Sequence, residues 1–368
     1  MYVHIPFCSA ICNYCNFNRS LFDNDLKNRY LVALIEEIRA ATTGRADTIY
    51  FGGGTPSLLT GAEIGAVINA CRSAFDVAPD AEITIEANPE TVSVQSLTGY
   101  REAGANRVSF GVQSFRDDEL RRLSRLHGSD RAAAALAEAR QAGFDNVSLD
   151  LMMWLPGQTV AQWLESVDRA TTLDPDHLSL YMLEVYPNAP LKEEMARARW
   201  SQAPDDDVAD MYTRAMEQLE RAGYAQYEIS NVAKPQRRSR HNLKYWSDGD
   251  WLGFGCGAHS TLNGTRWKNV SSTDDYVARI GERAPIATDI RHLTEHERVG
   301  EALFTGLRLS DGLDVRAVNE RYGTDVWVQY GQRLEPFVEL GLLEVTAGCW
   351  KLTREGMLLA HEVMSVFV

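Results

Sequence analysis

Residues 4–17 read HIPFCSAICNYCNF and place Cys8, Cys12 and Cys15 in the order C-x3-C-x2-C, directly behind the apolar run YVHIPF. Three thiolates at this spacing, in a loop that leaves a strand, can converge on one inorganic centre. A structural zinc ion takes four ligands, normally as two paired half-sites, and the chain has no second Cys-x-x-Cys. His4 is a formal fourth candidate, but its place within the strand makes it a poor one. A cubane iron–sulfur cluster normally takes four cysteines. Three leave one iron open, which is useful when that iron must bind an exchangeable ligand that undergoes chemistry. Ile11, Tyr14 and Phe17 would shield such a cluster from water. Cys71, Cys256 and Cys349 stand alone and far apart. They read as small core residues, not as a disulfide framework.

Working outward from this loop, β-type runs alternate with helical patterns. Strands are expected at YVHIPF, DTIYFGG, EITIEAN, RVSFGVQS, NVSLDLMM and HLSLYMLEV. LKNRYLVALIEEIRAA, GAEIGAVINACRSAF, SDRAAAALAEARQAG and AQWLESVDRATTL lie between them as helices. Gly104, Gly143 and Gly223 stand where helices should stop. Strict βα alternation implies a parallel sheet with helices outside it. Six units fall short of eight, so the pattern fits an incomplete barrel or an open sheet. In either case functional residues should gather at the carboxyl ends of the strands. Beyond about Ser272 the pattern becomes helices followed by a hairpin, LLEVTAGCWKLT, and a last amphipathic helix, which resembles a winged-helix module. Residues 285–368 carry eight Lys and Arg against thirteen Asp and Glu, a net of −5. That balance argues against a nucleic-acid-binding face.

The chain has 368 residues and a net charge of −14, with 45% hydrophobic and 24% charged residues, a composition typical of soluble globular proteins. No apolar run approaches the ~18 residues of a membrane span, and no secretory signal precedes the first strand. A cytoplasmic protein is expected.

C-x3-C-x2-C with an aromatic residue before the last cysteine resembles the signature of radical S-adenosylmethionine (SAM) enzymes. YVHIPFC, YFGGGTPSLL, IEANPE, SFGVQSF and LDLMMWLPGQT then follow in the order seen in the family of oxygen-independent coproporphyrinogen III dehydrogenase. The resemblance covers essentially the whole chain. It implies an α/β fold, an incomplete (β/α)6 radical SAM barrel over residues 1–272, with a HemN-like, winged-helix-like α+β domain over 285–368. It implies a [4Fe-4S] cluster on Cys8, Cys12 and Cys15, with SAM chelating the open iron. Gly53, Gly54 and Thr55 would contact the SAM amino group, and Glu86, Arg125, Tyr2 and Tyr14 its other polar groups. Gln113 and Asp150 match positions that contact a second SAM. Glu184 falls where that enzyme has a small residue, so its contact does not carry over. A low-potential electron donor is implied as a partner.

Within the family, coproporphyrinogen dehydrogenase reads C-x3-C-x2-C-x-C and carries an extension before its first strand. Here Phe17 occupies the last position, and only Met1 precedes Tyr2. Both features, with HNLKYW at His241–Trp246, resemble the HemW-like heme-chaperone branch. That likeness implies heme as cargo, passed to an acceptor protein that can be membrane-associated. An imidazole can ligate heme iron and aromatic rings can stack on a porphyrin. His241, Tyr245 and Trp246 are therefore expected at heme, with His259 second and Arg237, Arg238 and Arg240 near the propionates. Packing of Tyr245 and Trp246 between domains is the plainer alternative. Decarboxylation of coproporphyrinogen and radical SAM methyl transfer remain the enzymatic alternatives.

Overall fold

The computed structural model describes residues 1–41 and 44–368. Six parallel strands, β1 Tyr2–Ile5, β2 Arg45–Gly53, β3 Asp76–Ala87, β4 Arg107–Gln113, β5 Val147–Met153 and β6 His177–Met182, lie side by side in chain order. Each is joined to the next through helix, and the order follows from right-handed βαβ crossovers. The helices start where the sequence supplies caps. Thr60 with Glu63, Ser93 with Ser96 and Thr159 with Gln162 form reciprocal capping boxes, which satisfy amides that the first turn leaves open. They stop at the expected glycines, where Gly104, Gly143 and Gly223 adopt φ of 109°, 89° and 90°.

The strand alternation sorts the side chains. In β2, Ile49 and Phe51 are fully buried in the apolar core with Ile64, Val67 and Ile68 of the following helix. Burying each such side chain is worth about 1.5–3 kcal/mol. Thr48 and Tyr50 take the opposite, lumenal face, where Tyr50 reaches Glu86 of β3. The sheet curves without closing.

Three strands of the main sheet escape the sequence pattern. Gly253–Phe254 adds in parallel beside β1, while Asn231–Ala233 and Ala225–Glu228 add antiparallel beyond β6. They are two to four residues long, too short for a period to register.

After the barrel, an antiparallel sheet of His259–Leu262, Thr265–Asn269 and Ala287–His292 straddles the region around 272–285. Helices Glu295–Gly306, Val315–Tyr322 and Val326–Glu339 and a small sheet of Leu313–Asp314, Leu343–Val345 and Cys349–Leu352 form the winged-helix-like module. The last expected helix is split into Arg354–Leu358 and Ala360–Met364. One apolar core runs from the barrel into this module through Leu303, Leu334 and Trp350. No helix among the described residues is long and apolar enough to cross a membrane.

Candidate cofactor site

A cavity of about 460 Å³ opens at the carboxyl ends of the parallel strands. Cys8, Cys12, Cys15 and Tyr14 line it from the loop after β1. Gly53, Gly54, Thr55, Glu86, Gln113 and Asp150 line it from the strands and the loop after β2, and Arg125 from the loop after helix Asp117–Arg122. Tyr2, His241, Tyr245 and Trp246 do not.

The GGGTP loop is held where the backbone can approach a ligand. Gly54 N and Thr55 N donate to Ile5 O and Phe7 O, both at 2.8 Å, so the loop continues alongside the chain leading to Cys8. Gly53 has φ of 108°, and a Cβ there would lie 2.4 Å from the His4 ring. A Cβ on Gly54 would meet Phe7 O at 2.7 Å. Only glycine fits at either position. The His4 ring is fixed by Tyr2 Oη on Nδ1 (3.0 Å) and by its own Nε2 on Asn18 O (2.8 Å). Burial lowers its pKa to about 4. His4 is a packing residue beneath the loop and has no nitrogen left for a metal.

A polar chain joins two of the cysteines. Thr55 Oγ1 donates to Cys8 Sγ (3.5 Å), Asn88 Nδ2 to Thr55 Oγ1 (3.2 Å), and Arg125 Nη2 to Asn88 Oδ1 (2.7 Å). Arg125 Nη1 then donates to Cys12 Sγ at 3.5 Å. Asn88 is a site residue that motif reading passed over. The signal lay in its spacing, since it lies two positions after Glu86, just past the end of β3 in backbone still extended, and so shares its face.

Two carboxylates face the lumen. Tyr50 Oη donates to Glu86 Oε1 (2.7 Å) and Gly53 N to Oε2 (3.2 Å). Burial nevertheless pushes the Glu86 carboxyl up to about 7, against the opposing pull of Tyr50. Burial likewise raises Asp150, which accepts from Ser109 Oγ at 3.1 Å. Gln113 ends β4 at φ of 70°, beside a register shift, and its Oε1 is buried with no partner. Strained backbone and an unpaired buried acceptor are what a ligand-facing residue shows before its ligand is in place.

The donor set fits an iron–sulfur cluster. Among the described residues, no three His, Cys, Asp or Glu side chains crowd tightly enough to hold a single metal ion. A four-iron cluster gives each thiolate its own iron, so its ligands need not meet at one point. Burial raises the thiol pKa of Cys8 and Cys15, and bound iron would supply the positive charge that keeps them as thiolates.

The remaining expected residues lie elsewhere. Tyr2 sits beneath Gly52, in line with Tyr50 at 6.3 Å between ring centroids. His241 is 2% exposed, its Nδ1 paired with Thr48 Oγ1 (2.8 Å) and its Nε2 with Tyr245 Oη (3.0 Å). Tyr245 packs edge-on against Trp251, and the Arg308 guanidinium covers the Trp246 ring at 4.2 Å. Arg237, Arg238 and Arg240 already pair with Asp145 and Asp176, with Asp311, and with Asp80. His259 is exposed on the antiparallel sheet, outside the cavity.

The Radical SAM superfamily model matches residues 2–170, and the HemN C-terminal domain model matches residues 293–359. The heme chaperone HemW of Bacillus subtilis (strain 168) is 38% identical over all of this chain and 98% of its own length. The chain belongs to the HemW family. HemW of Escherichia coli (strain K12) is 33% identical, again over all of this chain and 97% of its own. Among solved structures, coproporphyrinogen III oxidase HemN from Escherichia coli, a radical SAM enzyme, superposes on the whole chain. The TM-score is 0.87 at 26% identity, covering 89% of that protein. In this HemW family member, Phe17 stands 64% exposed at the cavity mouth.

Proposed function

We propose that the protein is a cytoplasmic heme chaperone that binds a [4Fe-4S] cluster and SAM, takes heme as cargo and transfers it to an acceptor protein. The observation that carries this reading is the meeting of Cys8, Cys12 and Cys15 with the glycine loop and Glu86 on one cavity, in a chain matching HemW from end to end. Cys8, Cys12 and Cys15 would hold the cluster. Gly53, Gly54 and Thr55 would contact the SAM amino group, with Glu86 holding another of its polar groups. Arg125 and Tyr14 would hold its other polar groups, and Gln113 and Asp150 would serve SAM or a second copy of it. Together the bound cluster and SAM supply one-electron chemistry, fed by a low-potential donor. Phe17, in place of a further cysteine, is an exposed apolar side chain suited to a porphyrin-sized surface. The division into a core of residues 1–272 and a module of 285–368 belongs to the same proposal. Heme is not assigned to His241, because both of its ring nitrogens are engaged.

The test is anaerobic incubation of the reconstituted protein with SAM, reductant and either heme or coproporphyrinogen. Stoichiometric heme binding with the porphyrinogen left intact is expected. Robust decarboxylation would replace the chaperone reading with the dehydrogenase one, and methylated product with the methyltransferase one.

A further inference from the structure

The helix Arg240–Trp246 closes the lumen at the end away from the cysteines. Ser239 caps it, and the Glu82 carboxylate of β3 accepts from the amides of Arg240 and His241, both at 3.0 Å. A buried carboxylate set on a helix amino terminus, with two amide donors, is a strong anchor. Above it, the His241 ring stacks on Tyr50 at 4.8 Å and 17°. Tyr50 is the residue whose hydroxyl holds Glu86. The other end of the helix meets the carboxyl-terminal module, since Arg308, over Trp246, is ion-paired with the fully buried Glu228.

We infer that HNLKYW is a positioning element for the SAM cavity: His241 fixes Tyr50, Tyr50 fixes Glu86, and Trp246 ties this stack to Arg308 of the carboxyl-terminal module. His241 is a positioning residue and does not ligate heme iron. The inference rests on the proposed role of Glu86 towards SAM. The ring of His241 has a bonded partner on each nitrogen and a tyrosine on its face, so no coordination position is open without dismantling the base of the barrel. The same contacts leave the Tyr50 ring little freedom, which keeps its hydroxyl aimed at one carboxylate oxygen. The titratable and charged groups around Glu86 are Tyr2, Tyr50, Arg107, Asp150, Tyr181 and Tyr245. Of these, Tyr50 alone donates a hydrogen bond to it.

The test compares His241→Ala, Tyr50→Phe and Glu86→Gln in anaerobically reconstituted protein. SAM binding is measured from pH 6 to 8, and the heme absorption spectrum is recorded separately. A hydrogen bond to a charged group is worth about 1.5 kcal/mol or more. Tyr50→Phe and His241→Ala should therefore weaken SAM binding roughly tenfold, and Tyr50→Phe should move the pH midpoint upward. The heme spectrum should stay as in the wild type. Tyr50→Phe removes one oxygen and leaves the helix in place, so it decides the matter should His241→Ala not fold. SAM binding untouched by Tyr50→Phe but weakened by Glu86→Gln would overturn the coupling alone. Binding untouched by all three would overturn the SAM assignment of Glu86 as well. A displaced heme spectrum in His241→Ala would restore His241 as an iron ligand and sink the inference.

Discussion

Cys8, Cys12 and Cys15 share a cavity, whereas Cys71 and Cys256 are fully buried in the core. Replacing any of the first three by alanine should abolish the iron and its absorption in reconstituted protein. Alanine at Cys71, Cys256 or Cys349 should leave iron content unchanged, and tight stoichiometric zinc without iron–sulfur absorption would refute the assignment. Glu86 gives a prediction in pH. Its folded pKa of about 7 lies above the ordinary 4.5, so between those values the native state keeps a proton that the unfolded chain has released. Its contribution to stability is therefore present below about 4.5 and lost as pH rises through 7. In protein without SAM, Glu86→Gln should flatten the fall in unfolding midpoint across that window. The cysteines were legible because spacing in sequence survives as spacing in a loop. His241 was not, because nothing in HNLKYW states that Thr48 and Tyr245 already occupy its nitrogens.

Among the elements, the glycine loop is the most constrained. Gly53→Ala and Gly54→Ala would each drive a methyl into the His4 ring or the Phe7 carbonyl. Overpacking of this kind costs about 1–3 kcal/mol, and SAM binding should fall further than stability does, because the loop must move away from β1. Denaturant unfolding and SAM titration on the same samples separate the two effects. The six parallel strands were readable from alternation and from the caps and glycines of the intervening helices. The edge strands were not, nor was helix Pro190–Ala198, and Asp205–Arg221 was signalled only by Gly223 at its end. The edge strands depend on partners distant in sequence: Gly253 pairs with Tyr2, and Asn231 with Ser179.

For the whole molecule, the joint between barrel and carboxyl-terminal module adds a buried charge to the shared apolar core. Glu228 is fully buried and accepts from both Ser230 N and Arg308. Arg308→Ala would leave that carboxylate without its cation, a loss of about 3–5 kcal/mol. It should appear as a lowered unfolding midpoint, together with exposure of Trp246 to quenchers of tryptophan fluorescence. The acidic balance of residues 285–368 was visible in composition. Their attachment to the barrel was not, because Arg308, Trp246 and Glu228 are far apart in the chain and meet only once it is folded.

The chain of contacts from Cys8 through Thr55, Asn88 and Arg125 to Cys12 has a bearing on repair. These bonds are made by protein groups alone, so on the proposed cluster assignment the cradle is expected to keep its shape when iron is lost. Oxygen that destroys the cluster would leave a damaged site within an intact fold, and fresh iron and sulfide would find the thiols still in place. Stripped protein should melt in one cooperative transition close to that of the loaded form, and should regain its absorption on anaerobic reloading without being unfolded first. A stripped protein that collapsed, or that needed refolding to take up iron, would show that the metal builds the cradle. If the cradle stands as expected, exposure to air would be an interruption from which the molecule recovers.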